Sequence, residues 1–376
     1  MIINNVNIVN HDGIIKGSIE FDKDKIINVY KKQVKGINGN NLYLIPSFVD
    51  THSHGAVDFD FNDLTKSDNP KNSQEYINYL VNDGVGVIIG TTVTCSKSDL
   101  EKISKNIKNF ANRYDIVKGW YIEGPYISKE KKGAHNPKLI CPLDMNLLSK
   151  INKSLPKDFV KIGAVAPEVF NNIKKIKELS KNYFVALAHS NATAEVATQA
   201  IKEGCSRVTH LYNAMSGFHH RNPGVLNAVF NNKKVFVELI TDDFTVNNTA
   251  ALNAYNILNP YQLMIITDTL RCAGCKNGKY SLGSLKIIKN AQGAFLEDGK
   301  TLAGSVLSFS QQAKNFANLT NCSMQDFVKF TSYNAARSLK LDNKYGVIKK
   351  NAASNFLLIN KKFNIIKKYY KGQEVK

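Results

Sequence analysis

No stretch of this sequence reaches the roughly 18 consecutive apolar residues that a membrane-crossing helix needs. The longest apolar run, "VGVIIG" (85–90), is only strand-sized, so no membrane partner is expected. The opening "MIINNVNIVN" lacks a basic segment followed by an apolar core. No secretory signal is read there, and a cytoplasmic location is expected. Internal repeats and low-complexity tracts are also missing, which argues against a repeat architecture or a disordered chain. Cysteine is sparse and scattered, at 95, 141, 205, 272, 275 and 322; in a long cytosolic chain such residues stay as thiols. "CAGC" (272–275) is a lone C-x-x-C, and without a second pair its spacing is weak support for a zinc knuckle or a redox site.

Acidic residues are in deficit, 31 against 50 lysines and arginines, for a formal charge of +19. Such an excess suits nucleic acid, a membrane surface or an anionic substrate. The lysines are spread along the chain, however, as in "KKIKELSKN" (174–182) and "KKFNIIKKYYKG" (361–372). Single-strand binders interleave a basic stripe with aromatics, and no such stripe is present. A solvated surface is the simpler reading, and no nucleic-acid partner is expected.

What is present is enough apolar material, 43% of 376 residues, for one large domain or a large and a small one. Eight short apolar runs recur: 44–50, 85–93, 116–124, 160–168, 183–190, 206–213, 234–242 and 262–268. Helix-periodic segments such as "PKNSQEYINYLVNDG" (70–84) and "NATAEVATQAIKEG" (191–204) separate most of them. Parallel strands alternating with helices predict a (β/α)8 TIM barrel over residues 46–344. The ends read differently. Residues 1–45 and 345–376 carry short alternating runs broken by turn signals, and are expected to pair into a small discontinuous β-sandwich domain.

Histidine is scarce, with eight in the chain, yet two stand together in "SFVDTHSHG" where the first run emerges. In a (β/α)8 barrel the chemistry sits at the C-terminal strand ends. There the runs present His52 and His54, then Glu123 in "YIEGP", His189 in "LAHSNAT", His210 in "THLYNAM" and Asp268 in "IITDT". Any one of these alone reads as a structural side chain; six at one rim read as a metal site. Side chains at i and i+2 share a strand face, so His52 and His54 can converge on one cation. Zinc, iron and manganese all accept imidazole and carboxylate. Glu123, with two oxygens, suits a place between two cations, and Asp268 suits proton transfer from an activated water.

In this order the motifs resemble the N-acetylglucosamine-6-phosphate deacetylase family of the amidohydrolase superfamily. The resemblance runs through "PSFVDTHSHG" (46–55), "YIEGPYISKEKKGAHNP" (121–137), "AHSNAT" (188–193) and "THLYNAM" (209–215). It continues through "RNPG" (221–224), "DGKTLAGS" (298–305) and "GVI" (346–348). It implies hydrolysis of the 2-acetamido group of a sugar 6-phosphate, with one or two divalent metals (Zn, Fe or Mn) per subunit. By resemblance the main metal falls on Glu123, His189 and His210, and a second on His52 and His54. Asp268 becomes the general acid/base, and His135 polarises the acetyl carbonyl. Ala134, Asn213, Ala214 and the loop Leu302-Ala303-Gly304 contact substrate. Arg221 holds the phosphate across the interface of an expected homodimer.

Three positions depart from the family pattern. "TDDFT" (241–245) places Thr245 where the family has a phosphate-touching histidine, with Asp243 nearby. Tyr121 stands where the family's H-x-E-G-P begins. Arg271, after Asp268, reads equally as meeting an anion or facing solvent. The altered 242–245 segment keeps open a related substrate, N-acetylgalactosamine 6-phosphate.

Overall fold

The structure, a computed structural model, describes residues 1–66 and 70–375. Each apolar run forms a strand: β1 (Phe48–Ser53), β2 (Val85–Thr92), β3 (Val117–Ile122), β4 (Val160–Val165), β5 (Phe184–Leu187), β6 (Cys205–Val208), β7 (Phe236–Leu239) and β8 (Leu263–Ile265). All eight are parallel and ordered as in the chain. The first and last strands are joined where they end. Asp268 N donates to His52 O at 2.9 Å, and His54 N donates to Thr269 O at 2.9 Å. Below these bonds the buried Asp50 carboxylate accepts from Thr267 Oγ1 at 2.6 Å, which completes the (β/α)8 barrel.

The strands are mostly apolar because both faces are covered. Their outer faces pack on amphipathic helices. In the helix Lys97–Arg113, Leu100, Ile103, Ile107 and Phe110 form one buried stripe, started by Ser96, whose hydroxyl accepts from Asp99 N. Truncating Ile103 to alanine would cost ~2–5 kcal/mol, since that side chain is fully enclosed. Inside the barrel, Val49, Val87 and Met264 pack on Ala335, Ala336 and Tyr345, which plug the N-terminal end. Above them Ile89, Tyr121, Ile162, Ala164 and Ala186 fill the middle. The side chains that border open space lie at the opposite rim, above a buried polar layer that includes Thr51, Arg207 and Glu238.

The first apolar run divides between two sheets. Tyr43–Pro46 joins strands from both termini, Ile2–Asn10, Gly13–Phe21, Ile26–Tyr30, Ile37–Asn38, Phe356–Ile359, Ile365–Tyr370 and Gln373–Val375, in one mixed sheet. Two strands separate Gly13–Phe21 from Phe356–Ile359 in that sheet, a span of ~14 Å if flat. Yet the Phe21 and Phe356 rings lie 4.9 Å apart. The sheet therefore folds over on itself, sandwich-like, around Ile3, Ile19, Phe21, Phe356 and Tyr369.

One element was not anticipated. After β8 comes a four-stranded antiparallel meander, β9 (Gly278–Leu282), β10 (Leu285–Asn290), β11 (Gly293–Leu296) and β12 (Leu302–Gly304). Leu282, Ile287 and Ala294 pack on Val93, Ala134 and Leu270, so the meander leans over the rim that carries the polar residues. No helix among the described residues is long and apolar enough to cross a membrane.

Candidate active site

The six rim residues converge. Glu123 follows β3 directly and is buried. Gly124 follows it at φ 84°, and a Cβ there would lie 2.1 Å from Thr94 Oγ1, so the turn away from Glu123 requires glycine. His189, His210 and Asp268 take left-handed backbone, at φ 45°, 26° and 50°. Each such non-glycine residue costs about 1–3 kcal/mol, strain that the fold tolerates here to turn these side chains inward. In β1 the register against β2 shifts between Asp50 and Ser53, a local irregularity of the kind that re-aims side chains. It accompanies the convergence of His52 and His54, whose rings sit 5.2 Å apart.

Glu123 divides the site. Its Oε1 lies 3.2 Å from His189 Nε2 and 2.9 Å from His210 Nε2, and those two nitrogens are 3.1 Å apart. Its Oε2 lies 3.2 Å from His54 Nε2 and 3.5 Å from His52 Nε2. Asp268 Oδ1 is 3.1 Å from His54 Nε2 and 3.3 Å from His52 Nε2. Two buried triads result, Glu123–His189–His210 and His52–His54–Asp268. Metal–nitrogen bonds of 2.0–2.1 Å in a tetrahedron put ligand atoms roughly 3.3 Å apart, close to the spacings found. His52 Nε2 is buried without a hydrogen-bond partner, as a ligand atom is when its cation is lacking. His189 Nδ1 contacts the Lys131 carbonyl at 2.8 Å, which commits Nε2 to the cluster. The residues present fit one or two divalent cations.

Charge follows the same division. Burial works against the Glu123 anion, but the nearby charge of His52 and hydrogen bonds from His189 and His210 outweigh it and hold the carboxyl well below the usual range. Burial also disfavours protonated His54, yet hydrogen bonds to Asp268 and Glu123 push it up to about 9. His52 and His210 are raised too, against burial, with Glu123 as the main opposing influence.

His135 behaves oppositely. Burial first, then the neighbouring His189, pushes it well below its ordinary value, so the ring is neutral. Thr94 N donates to His135 Nδ1 at 3.2 Å. A nitrogen that accepts from an amide carries no proton, so Nε2 carries it; this atom lies 3.7 Å from Glu123 Oε2. His135 is thus a neutral hydrogen-bond donor beside the cluster.

A cavity of about 540 Å³, counted to its open mouth, stands over the triads. His54, Glu123, His135, His189, His210 and Asp268 form its floor and walls, and Ala134, Asn213, Ala214, Thr245, Leu302, Ala303 and Gly304 complete it. His52 lies behind His54 and does not border it. Val93, Gly133 and Leu282 also line it and were not anticipated; Leu282 belongs to the meander that the sequence reading missed. Arg221 is outside this wall, exposed on the loop beside Phe218, which is 69% exposed.

The departures resolve locally. The Thr245 hydroxyl donates to Asp242 Oδ2 at 2.7 Å, and Asp242 also accepts from the amides of Phe244 and Thr245. Asp243 is exposed and accepts from Asn248 N at 2.9 Å, at the start of the helix Asn248–Ile257. Of the two readings of Arg271, the anionic one holds: its side chain is 12% exposed and pairs with Asp63 at 2.7 Å, Asp60 at 3.5 Å and Asp58 at 3.7 Å, carboxylates of its own chain that tie its loop to residues 58–63. Cys272 and Cys275 are free thiols whose carbonyls accept from Lys289 Nζ, and neither belongs to a metal-competent group among the described residues.

The pattern of the amidohydrolase family matches residues 43–375. An N-acetylglucosamine-6-phosphate deacetylase of Lysinibacillus sphaericus is 33% identical over 353 residues, 92% of this chain and 90% of that protein. An N-acetylgalactosamine-6-phosphate deacetylase of Escherichia coli O157:H7 is 29% identical over 334 residues, 88% of this chain and 87% of that protein. The crystal structure of N-acetylglucosamine-6-phosphate deacetylase from Thermotoga maritima is 31% identical and superposes with a TM-score of 0.89, over 100% of this chain and 99% of that one. The barrel and its histidine–carboxylate rim make this a member of the amidohydrolase family, and within it the chain belongs with the N-acetylglucosamine-6-phosphate deacetylases.

Proposed function

We propose that this enzyme hydrolyses the 2-acetamido group of N-acetylglucosamine 6-phosphate to glucosamine 6-phosphate and acetate. The observation that carries the reading is Glu123, with one oxygen facing each histidine pair, beneath a cavity bordered by His135 and Asp268. An amide is a poor electrophile and an amine a poor leaving group, so the site must polarise one and protonate the other. Glu123, His189 and His210 would hold one divalent cation, and His52, His54 and Asp268 a second. When bound, such a cation supplies Lewis acidity toward a carbonyl oxygen and acidifies water.

The remaining work falls to side chains. His135 donates from Nε2 to the acetyl oxygen as negative charge develops there, and its neutrality keeps that proton in place. Asp268 accepts the proton of the attacking water and delivers it to the departing nitrogen. Ala134, Ala214, Leu302 and Ala303 leave room for a sugar ring, with Asn213 for its hydroxyls. The Thr245 hydroxyl, already committed to Asp242, is poorly placed to bind phosphate as a donor. The candidate for the phosphate is Arg221, whose guanidinium suits bidentate binding. Because Arg221 stands outside its own cavity, it would serve the neighbouring subunit of a homodimer.

The test is acetate release from N-acetylglucosamine 6-phosphate by purified protein, beside the galactosamine epimer and both unphosphorylated sugars. The expected order places the glucosamine phosphate first. Higher kcat/KM on the galactosamine phosphate would shift the assignment to that epimer.

A further inference from the structure

Beneath the cavity floor lies a layer of charged and polar groups that this reaction does not use. Glu238, on β7, is fully buried, and Arg207, on β6, is 1% exposed. Glu238 Oε1 pairs with Arg207 Nη2 at 2.8 Å. The same Nη2 donates to Thr51 Oγ1 at 2.9 Å. The guanidinium lies 5.9 Å from the centroid of the Tyr121 ring. That ring lies 4.8 Å from the ring of His52, and its hydroxyl is bonded to Thr209 Oγ1. None of Glu238, Arg207 and Tyr121 borders the cavity, so none can touch a substrate.

A buried carboxylate–guanidinium pair is weak as a stabilising device, because desolvation offsets its attraction and apolar side chains of similar size often do as well. This pair, however, reaches out to one place. Glu238 Oε2 is 3.2 Å from His52 Nδ1, and Arg207 reaches Thr51, the preceding residue. Among the four cluster imidazoles this is the one remote nitrogen that faces a carboxylate. His189 Nδ1 faces the Lys131 carbonyl, while His54 Nδ1 and His210 Nδ1 have no hydrogen-bond partner. A carboxylate on the remote nitrogen fixes the tautomer and ring plane of an imidazole and makes its other nitrogen a better donor to a cation. Tyr121, where the family pattern has histidine, fills the space against the same ring.

We infer that Glu238, held in place by Arg207, is a positioning residue for a second cation: it keeps the proton of His52 on Nδ1 and turns Nε2 toward the His54–Asp268 side. The inference rests on the reading that His52, His54 and Asp268 hold that cation. It predicts that loss of Glu238 weakens one metal site and spares the other.

Cobalt(II) titration of the metal-stripped full chain, counting bound equivalents by elemental analysis and by the cobalt absorption spectrum, tests this. The wild type is expected to bind two equivalents. Glu238→Met removes the acceptor and is expected to keep the first and bind the second about 10–100-fold more weakly. Glu238→Met leaves Arg207 buried without its anion, a change that works against folding. The double variant Glu238→Met/Arg207→Met removes both charges and decides if the single variant does not fold: it is expected to fold and still hold the second equivalent weakly. Either variant binding both equivalents with wild-type affinity overturns the positioning role while leaving two cations in place. A wild type that binds one equivalent overturns the two-cation reading and this inference together.

Discussion

Thr94 and His135 define a proton at the cavity wall: the Thr94 amide, 3.2 Å from Nδ1, makes that nitrogen an acceptor and leaves Nε2 as the donor. Replacing His135 by alanine removes the donor but no cluster ligand. kcat is expected to fall about 10²–10³-fold, with metal content unchanged by elemental analysis. Thr94→Val keeps the amide and loses only the hydroxyl, 2.7 Å from the same nitrogen. It should cost far less than His135→Ala. Equal losses in the two variants would refute the assignment of the donor to the backbone-fixed tautomer.

Asp268→Asn keeps the shape of the site and removes the basic carboxylate. Turnover is expected to fall by about 10²–10⁴-fold, while the cation at Glu123, His189 and His210 stays bound. Steady-state rates beside metal analysis separate the two effects. Retained turnover would remove Asp268 from proton transfer.

His189→Ala deletes one member of the Glu123–His189–His210 triad, a ring fixed by the Lys131 carbonyl. Metal content should drop and activity with it. Full wild-type metal content in this variant would contradict the ligand set.

The histidine cluster also sets a pH dependence that reverses with metal. In the metal-free protein the folded state holds a proton on His54 up to about 9, against an unfolded value of 6.5. A raised histidine contributes stability that is fully present below the unfolded value and is lost as pH rises through the folded one. The metal-free melting temperature should therefore decline between pH 6.5 and 9. Cations compete with those protons, so metal loading should release protons and its stabilisation should grow over the same range. Calorimetry with and without chelator checks this. Parallel pH trends for the two forms would show that the rings do not trade protons for metal.

Much of this architecture was legible in the sequence. Strands covered on both faces are mostly apolar, so the eight barrel strands stood out as near-continuous runs, and the residues that end them marked the rim. The meander at 278–304 was missed because its strands are half-exposed. "GKYSL" and "LKIIKN" mix lysine with apolar residues, and the left-handed Gly283 between them was the available hairpin signal. Glu238 and Arg207 were visible as lone charges inside apolar runs. A charge buried in a strand needs a partner, but partners on neighbouring strands are named only by the fold. Arg271 shows the same limit: its aspartates lie more than two hundred residues earlier in the chain.

The central claim is that hydrolysis depends on a cation held at Glu123, and it is tested most directly by acetate release from N-acetylglucosamine 6-phosphate before and after exhaustive chelation. The account predicts that chelation abolishes release and that adding back zinc, manganese or iron(II) restores it. Acetate release that survives verified removal of metal, or no release from fully loaded protein, would contradict it.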